Sequence, residues 1–272
     1  MPEKYLHRDG LPLLLRHTGM TTLPEEPPIS PAGASGATVF CLHDAGLQSS
    51  IFSDLMSCLP DNYVGLSFDL PGHGRSGSLD ALPSIEDMAD TAHWVSQWCH
   101  VERPIVVGHG MGALVALEWA RAKTDSVSGL LLCGIGRTLG IGDETIETMR
   151  RVTRGKAPRP FDPSRVAKDA GPDVMKRAYM EGIQTDPRAT LVDFEASRRF
   201  SDKSNGNEFS LTCPIRFIDG AAESNDDRER SKAFAEGIAG SSVDSIEGAA
   251  NYLPFEQPKL LAEEIQRIVE AA

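Results

Sequence analysis

From residue 37 onward, short apolar runs alternate with helix-patterned stretches, and this alternation constrains the fold more than any other feature. The runs are ATVFCLH (37–43), YVGLSFDL (63–70), RPIVVG (103–108), SGLLLCG (128–134), PIRFID (214–219) and SVDSIEG (242–248). They suit buried strands, whereas helices need longer periodic stretches. Helical patterns follow at 50–59, from Ser84 (where S-x-x-D resembles a capping box), in MGALVALEWARA, at 226–238 and at 257–271. Apolar strands alternating with helices predict an α/β fold with a mostly parallel central sheet covered by helices on both faces. The chain's 272 residues suffice for one such domain with a full core. Tyr5 to Thr18 reads as two strands turned at Asp9-Gly10, and 21–36 as a surface loop. The block 137–205 is charged, helical and strand-free, so it reads as a cap inserted into a core made of 1–136 and 206–272.

Charge narrows the partners. The formal net charge is −12 and no Lys/Arg cluster stands out, so nucleic acid and anionic membranes are repelled. The apolar run near the N-terminus has five residues, too short for a signal peptide, and no stretch is long enough to span a bilayer. A soluble, cytoplasmic protein is expected. The five cysteines are widely spaced with no C-x-x-C pair and read as buried free thiols. Metal-ligand spacing is absent, and no cofactor is implied. The expected partner is a small-molecule substrate or ligand, and nothing specifies an oligomeric state.

The segment VVGHGMGALVALEWA carries the most chemistry. An apolar strand, a G-x-X-x-G turn and a helix form the pattern of a nucleophile elbow. Gly108 and Gly112 suit its tight packing. Gly110 occupies the centre, where glycine adopts the strained angles freely but brings no nucleophile. The alternative is a Gly-rich phosphate-binding turn, since G-H-G-M-G loosely echoes G-x-G-x-x-G.

Four ordered motifs set that alternative aside, and with them the chain resembles the α/β-hydrolase superfamily over essentially its whole length. FCLHDAG (40–46) resembles the oxyanion loop, and SFDLPGHGRSG (67–77) resembles the D-x-P/R-G-x-G-x-S signature. VVGHGMG is similar to the elbow. IDGAAESNDD (218–227) and IEGAANYLPFEQP (246–258) resemble the loops bearing the acid and the histidine. The elbow is also similar to that of aminoacrylate or carbamate hydrolases, which likewise have a non-nucleophilic residue there but keep a late histidine.

Within the resemblance, the nucleophile position falls on Gly110, the histidine position on Asn251 and the acid position on Glu223. All seven histidines lie at or before His109. Asp44 stands where the oxyanion loop usually has glycine, and its carboxylate would oppose a developing oxyanion unless it turned away. By resemblance, Ala45 and Met111 supply the two oxyanion-hole N–H groups. His43 and His73 read as hydrogen-bonded structural residues, and His109 as either pocket-lining or structural. These substitutions disable acyl-enzyme chemistry, because triad members act as a unit.

Two functions stay open. One is an enzyme acting on a small carbonyl compound without a covalent acyl-enzyme, by direct water attack or lyase/isomerase-type chemistry. Its candidate catalytic residues are Asp44, His109 and Glu223, in a pocket of His43, Ala45, Gly110, Met111 and Asn251. The other is a non-catalytic pseudoenzyme binding a small ligand or a protein partner.

Overall fold

In the computed structural model the described residues are 1–28, 36–78, 80–204, 206 and 209–271. Part of the predicted 21–36 loop and residue 205 therefore lie outside them. Eight strands form one sheet: β1 Glu3–Arg8, β2 Leu11–His17, β3 Thr38–Leu42, β4 Val64–Phe68, β5 Ile105–His109, β6 Gly129–Cys133, β7 Ile215–Gly220 and β8 Ser241–Ile246. Their order is β1-β2-β4-β3-β5-β6-β7-β8. Only β1–β2 and β2–β4 pair antiparallel; the remaining neighbours are parallel. The β1–β2 hairpin turns at Asp9-Gly10, both with positive φ (52° and 81°), the geometry that matches the twist of the flanking strands.

The helices are α1 Ser53–Ser57, α2 Ile85–Trp98, α3 Met111–Ala122, α4 Ile135–Leu139, α5 Asp143–Thr153, α6 Pro172–Gln184, α7 Pro187–Ser201, α8 Asn225–Glu236, α9 Leu253–Glu256 and α10 Pro258–Ala271. The pattern over 50–59 resolves into a short 3-10 turn, Ser49–Phe52, running into α1. Ser84 caps α2, its hydroxyl accepting from the Asp87 N–H at 3.1 Å.

Successive strand residues point to opposite faces, and here both faces are apolar. On one side Phe40, Val106, Leu130 and Phe217 pack with Trp119 of α3 and the apolar face of α2. On the other, Val39, Cys41, Ile105, Val107 and Leu131 pack with Leu261 and Ile265 of α10. All five cysteines are free; Cys41, Cys99 and Cys133 are buried, whereas Cys58 and Cys213 are half-buried. No helix among the described residues is long and apolar enough to cross a membrane.

Between β6 and β7 lie α4 to α7, with no strand among the described residues. Polar contacts join this segment to the loops at the carboxyl ends of the strands. Asp193 of α7 accepts from the Gly46 N–H (2.8 Å) and pairs with His73 (2.7 Å), all three buried. The segment therefore contacts the loop after β3 and the turn after β4, where the site is built.

Candidate active site

The strand–turn–helix at β5 and α3 turns on Gly110, with φ 53° and ψ −114°. A Cβ at Gly108 would lie 2.4 Å from the Gly112 carbonyl oxygen, and one at Gly112 would lie 2.0 Å from that of Leu42. The turn is thus pressed against β3, and only glycine fits at its flanks.

The loop after β3 occupies the space above Gly110. A Cβ built there would meet Asp44 Oδ1 at 2.1 Å and Cγ at 2.3 Å. The Asp44 carboxylate therefore fills the volume that a nucleophile side chain would take from the elbow. Sequence reasoning expected this carboxylate to disable the oxyanion hole unless it turned away; it turns in. Met111 N–H donates to Asp44 Oδ1 at 2.8 Å, and the Ala45 N–H also donates to the carboxylate. Both backbone donors thus hold a resident anion.

Arg165, from the stretch between α5 and α6, reaches Asp44 from the other side, Nη2 to Oδ2 at 2.7 Å. Its Nε and Nη2 donate to Asn251 Oδ1 at 3.0 and 2.6 Å, and its guanidinium stacks on Tyr252 at 4.6 Å. Asn251 Nδ2 donates to the Gly134 carbonyl at 3.3 Å, and the Asn251 side chain also bonds Glu223. A continuous chain, Glu223–Asn251–Arg165–Asp44, runs from the acid position to the elbow. Arg165 gave no sequence signal, because it lies 121 residues from Asp44 in a stretch without a recognisable motif.

Electrostatics follow from this wiring. Burial works against the Asp44 charge, but Arg165, His109 and the two N–H donors outweigh it and hold the carboxyl below its ordinary range. Glu223 goes the other way: burial, reinforced by Asp219 and Asp227, raises it to about 7 despite bonds from Gly220 N–H and Asn251. Burial likewise raises Asp219, on β7, to about 6. His43 is lowered to about 4, by burial first and by His73 next. Its Nδ1–H donates to the Asp44 carbonyl, and Nε2 accepts from the Leu70 N–H at 3.2 Å, so it is a neutral structural histidine. His109 is fully buried and lowered by burial, with Nε2–H on the Asn251 carbonyl at 2.7 Å.

A cavity of about 740 Å³ opens beside this network, and Asp44, Ala45, Arg165 and Tyr252 line its wall there. Gly110, Met111, His43, His109, Asn251 and Glu223 are buried and are not among the residues that line the cavity. Of the three candidate catalytic residues, Asp44 alone reaches the cavity. Among the described residues no group of three or more His, Cys, Asp or Glu could hold a metal ion.

With this geometry in place, the comparisons decide the family. The family model "Alpha/beta hydrolase family" matches residues 39–264. The chain is an α/β hydrolase.

Relatives of this α/β hydrolase include the pimeloyl-[acyl-carrier protein] methyl ester esterase of Methylococcus capsulatus. It is 34% identical over 110 residues, 38% of this chain and 39% of that protein. The match therefore spans about two fifths of that relative. The (E)-2-((N-methylformamido)methylene)succinate hydrolase of Acinetobacter baylyi is 23% identical over 250 residues, 86% of this chain and 91% of that one. Among solved structures, a thermophilic esterase from Thermogutta terrifontis with malate bound superposes with TM-score 0.77 at 21% identity, covering 100% of this chain and 99% of the other. The enol-lactonase from Burkholderia xenovorans LB400 gives 0.75 at 16% identity, over 98% and 99%. Both structural likenesses are to the fold.

Proposed function

We propose that this α/β hydrolase acts on a small carbonyl compound at Asp44, by direct water attack and without an acyl-enzyme intermediate. The observation that carries the reading is the Asp44 carboxylate: it fills the nucleophile's volume over Gly110, is paired with Arg165, and lies in the cavity wall. A water beside Asp44 gives its proton to the carboxylate as its oxygen bonds the carbonyl carbon. Arg165, whose Nη1 has no hydrogen-bond partner among the described residues, donates to the carbonyl oxygen as charge develops there. Asp44 returns the proton to the departing group. A carboxyl held below its ordinary range is a weak base, so the substrates are already activated carbonyls, such as enol esters, lactones or enamides. The segment 137–205 serves as the cap that closes this site, through Arg165.

One observation favours a second reading. Both oxyanion-hole N–H groups already bond Asp44, as in a site that binds a ligand without turning it over.

A panel of activated esters, lactones and enamides, assayed with wild type and Asp44→Asn, separates the two. Turnover in wild type that falls about 10²-fold or more in a folded Asp44→Asn protein supports the enzyme. Saturable binding with no turnover anywhere in the panel supports the binding protein. A covalent mass increase on Asp44 during turnover would replace water attack by carboxylate attack.

A further inference from the structure

Arg165 is not the only guanidinium lining the cavity. Arg159, on the loop between α5 and α6, also lines it, half-buried. Other cavity arginines are neutralised locally: Arg165 by Asp44, Arg137 by Asp162 and Arg230 by Asp227. Arg159 has no salt bridge among the described residues. Its Nη1 donates to the Thr185 carbonyl and its Nη2 to Thr190 Oγ1 at 2.8 Å. Those two neutral acceptors fix the guanidinium plane and take two of its five N–H donors, leaving three and a full positive charge. Burial disfavours that charge, and Asp186 is the largest of the influences that favour it. The chain's overall charge is −12, so an unpaired, immobilised cation in its cavity is out of keeping with its surroundings.

The position is as informative as the charge. A Cβ on Gly46 would lie 3.2 Å from Arg159 Nη2, which places the guanidinium over the loop bearing Asp44, two residues away. Arg159 and Asp44 therefore line the same cavity with the Asp44 loop beneath the guanidinium.

We propose that Arg159 is a specificity-determining anion anchor, and that the cavity's ligand is a small carbonyl compound bearing a carboxylate a few bonds from the carbonyl. A planar carboxylate fits a guanidinium edge bidentately. A single cation without a salt bridge, with the Asp44 carboxylate nearby, suits a monoanionic group rather than a phosphate dianion. Insofar as it concerns a substrate, the proposal rests on the reading of Asp44 given above; the anchor itself does not.

The test uses the full chain and a series of oxo-carboxylates of increasing length, each beside its methyl ester, with binding read by saturation-transfer NMR and calorimetry. We expect at least one acid to bind saturably, its methyl ester to bind about tenfold or more weakly, and Arg159→Met to weaken the acid alone by a similar factor. Arg159→Lys should recover part of the loss, which a purely structural arginine would not do for one ligand of a pair. Circular dichroism and melting temperature establish that each variant is folded, and Thr190→Val, which frees the guanidinium, reports on the anchor if Arg159→Met is not. The proposal is overturned if acids and esters bind alike, if no acid in the series binds, or if folded Arg159→Met binds the acid as wild type does. Acid binding that depends on Arg159 in a protein hydrolysing none of the panel removes the catalytic reading and leaves the anchor standing.

Discussion

Asp44 and Gly110 make sense only as a pair. The glycine leaves a volume, the carboxylate fills it, and a Cβ at position 110 would lie 2.1 Å from Asp44 Oδ1. Gly110→Ser should therefore be destabilising twice over, by backbone strain at φ 53° and by displacing a buried anion from Arg165 and Met111 N–H. Adding Asp44→Gly removes the collision. In a double-mutant cycle read by urea unfolding, the two substitutions should couple by about 1–3 kcal/mol, the double variant being more stable than additivity requires. Additive effects would show that Asp44 does not occupy the serine's space. The sequence displayed the strand–turn–helix around Gly110, because its glycines and flanking apolar runs form a local pattern. It did not display the inward turn of Asp44 or its partner, since a rotamer and a contact across 121 residues leave no local pattern.

The elements were more legible. The alternating apolar faces of β3, β5 and β6 encode strands buried on both sides, and Ser84 and Asp9-Gly10 encode a helix start and a hairpin turn through their own local chemistry. The docking of α7 onto the core was not encoded in that way. It includes a buried ion pair between Asp193 and His73, with Gly46 N–H on the same carboxylate oxygen. Burial lowers His73, but Asp193 by charge and hydrogen bond, the Pro71 carbonyl and Asp69 together raise it above its ordinary value. His43, whose ring centroid is 4.9 Å away, is lowered to about 4 and stays neutral. Because the folded value of His73 exceeds the unfolded one, its stabilisation is complete below about pH 6.5 and is lost as pH rises through the folded value. Asp193→Asn should cost about 3 kcal/mol or more at about pH 6, as for a buried pair deprived of one partner. The gap to wild type in denaturation midpoint should narrow as the pH is raised. A gap independent of pH would mean that His73 does not titrate in this range.

For the molecule as a whole, the buried acids add to this trend. Glu223, raised from 4.5 to about 7, and Asp219, raised from 3.8 to about 6, favour their protonated forms in the fold. A raised carboxyl loses stability as pH climbs from its unfolded value to its folded one. Asp44, depressed, contributes fully above its unfolded value of 3.8 and is lost only below it. Near neutrality, then, His73, Glu223, Asp219 and the repulsion within a net charge of −12 all act in one direction. Four histidines lowered by burial, His17, His43, His93 and His109, act oppositely only below about pH 6.5. The melting temperature should therefore fall between about pH 6.5 and about pH 8, and Glu223→Gln, which keeps an acceptor for Gly220 N–H, should flatten part of that slope. An unchanged slope in this variant would locate the titration elsewhere.

The shared volume of Gly110 and Asp44 also makes a ratchet in sequence space. From this chain, the neighbour with serine at 110 has a nucleophile jammed against a carboxylate, and the neighbour with glycine at 44 has an open hole but nothing to attack from it. Exchanging the two residues one at a time therefore passes either through a clash or through an unfilled volume over Gly110. A lineage that has passed this point is therefore held there by packing geometry, free to explore what a carboxylate and two arginines do with an α/β-hydrolase cavity.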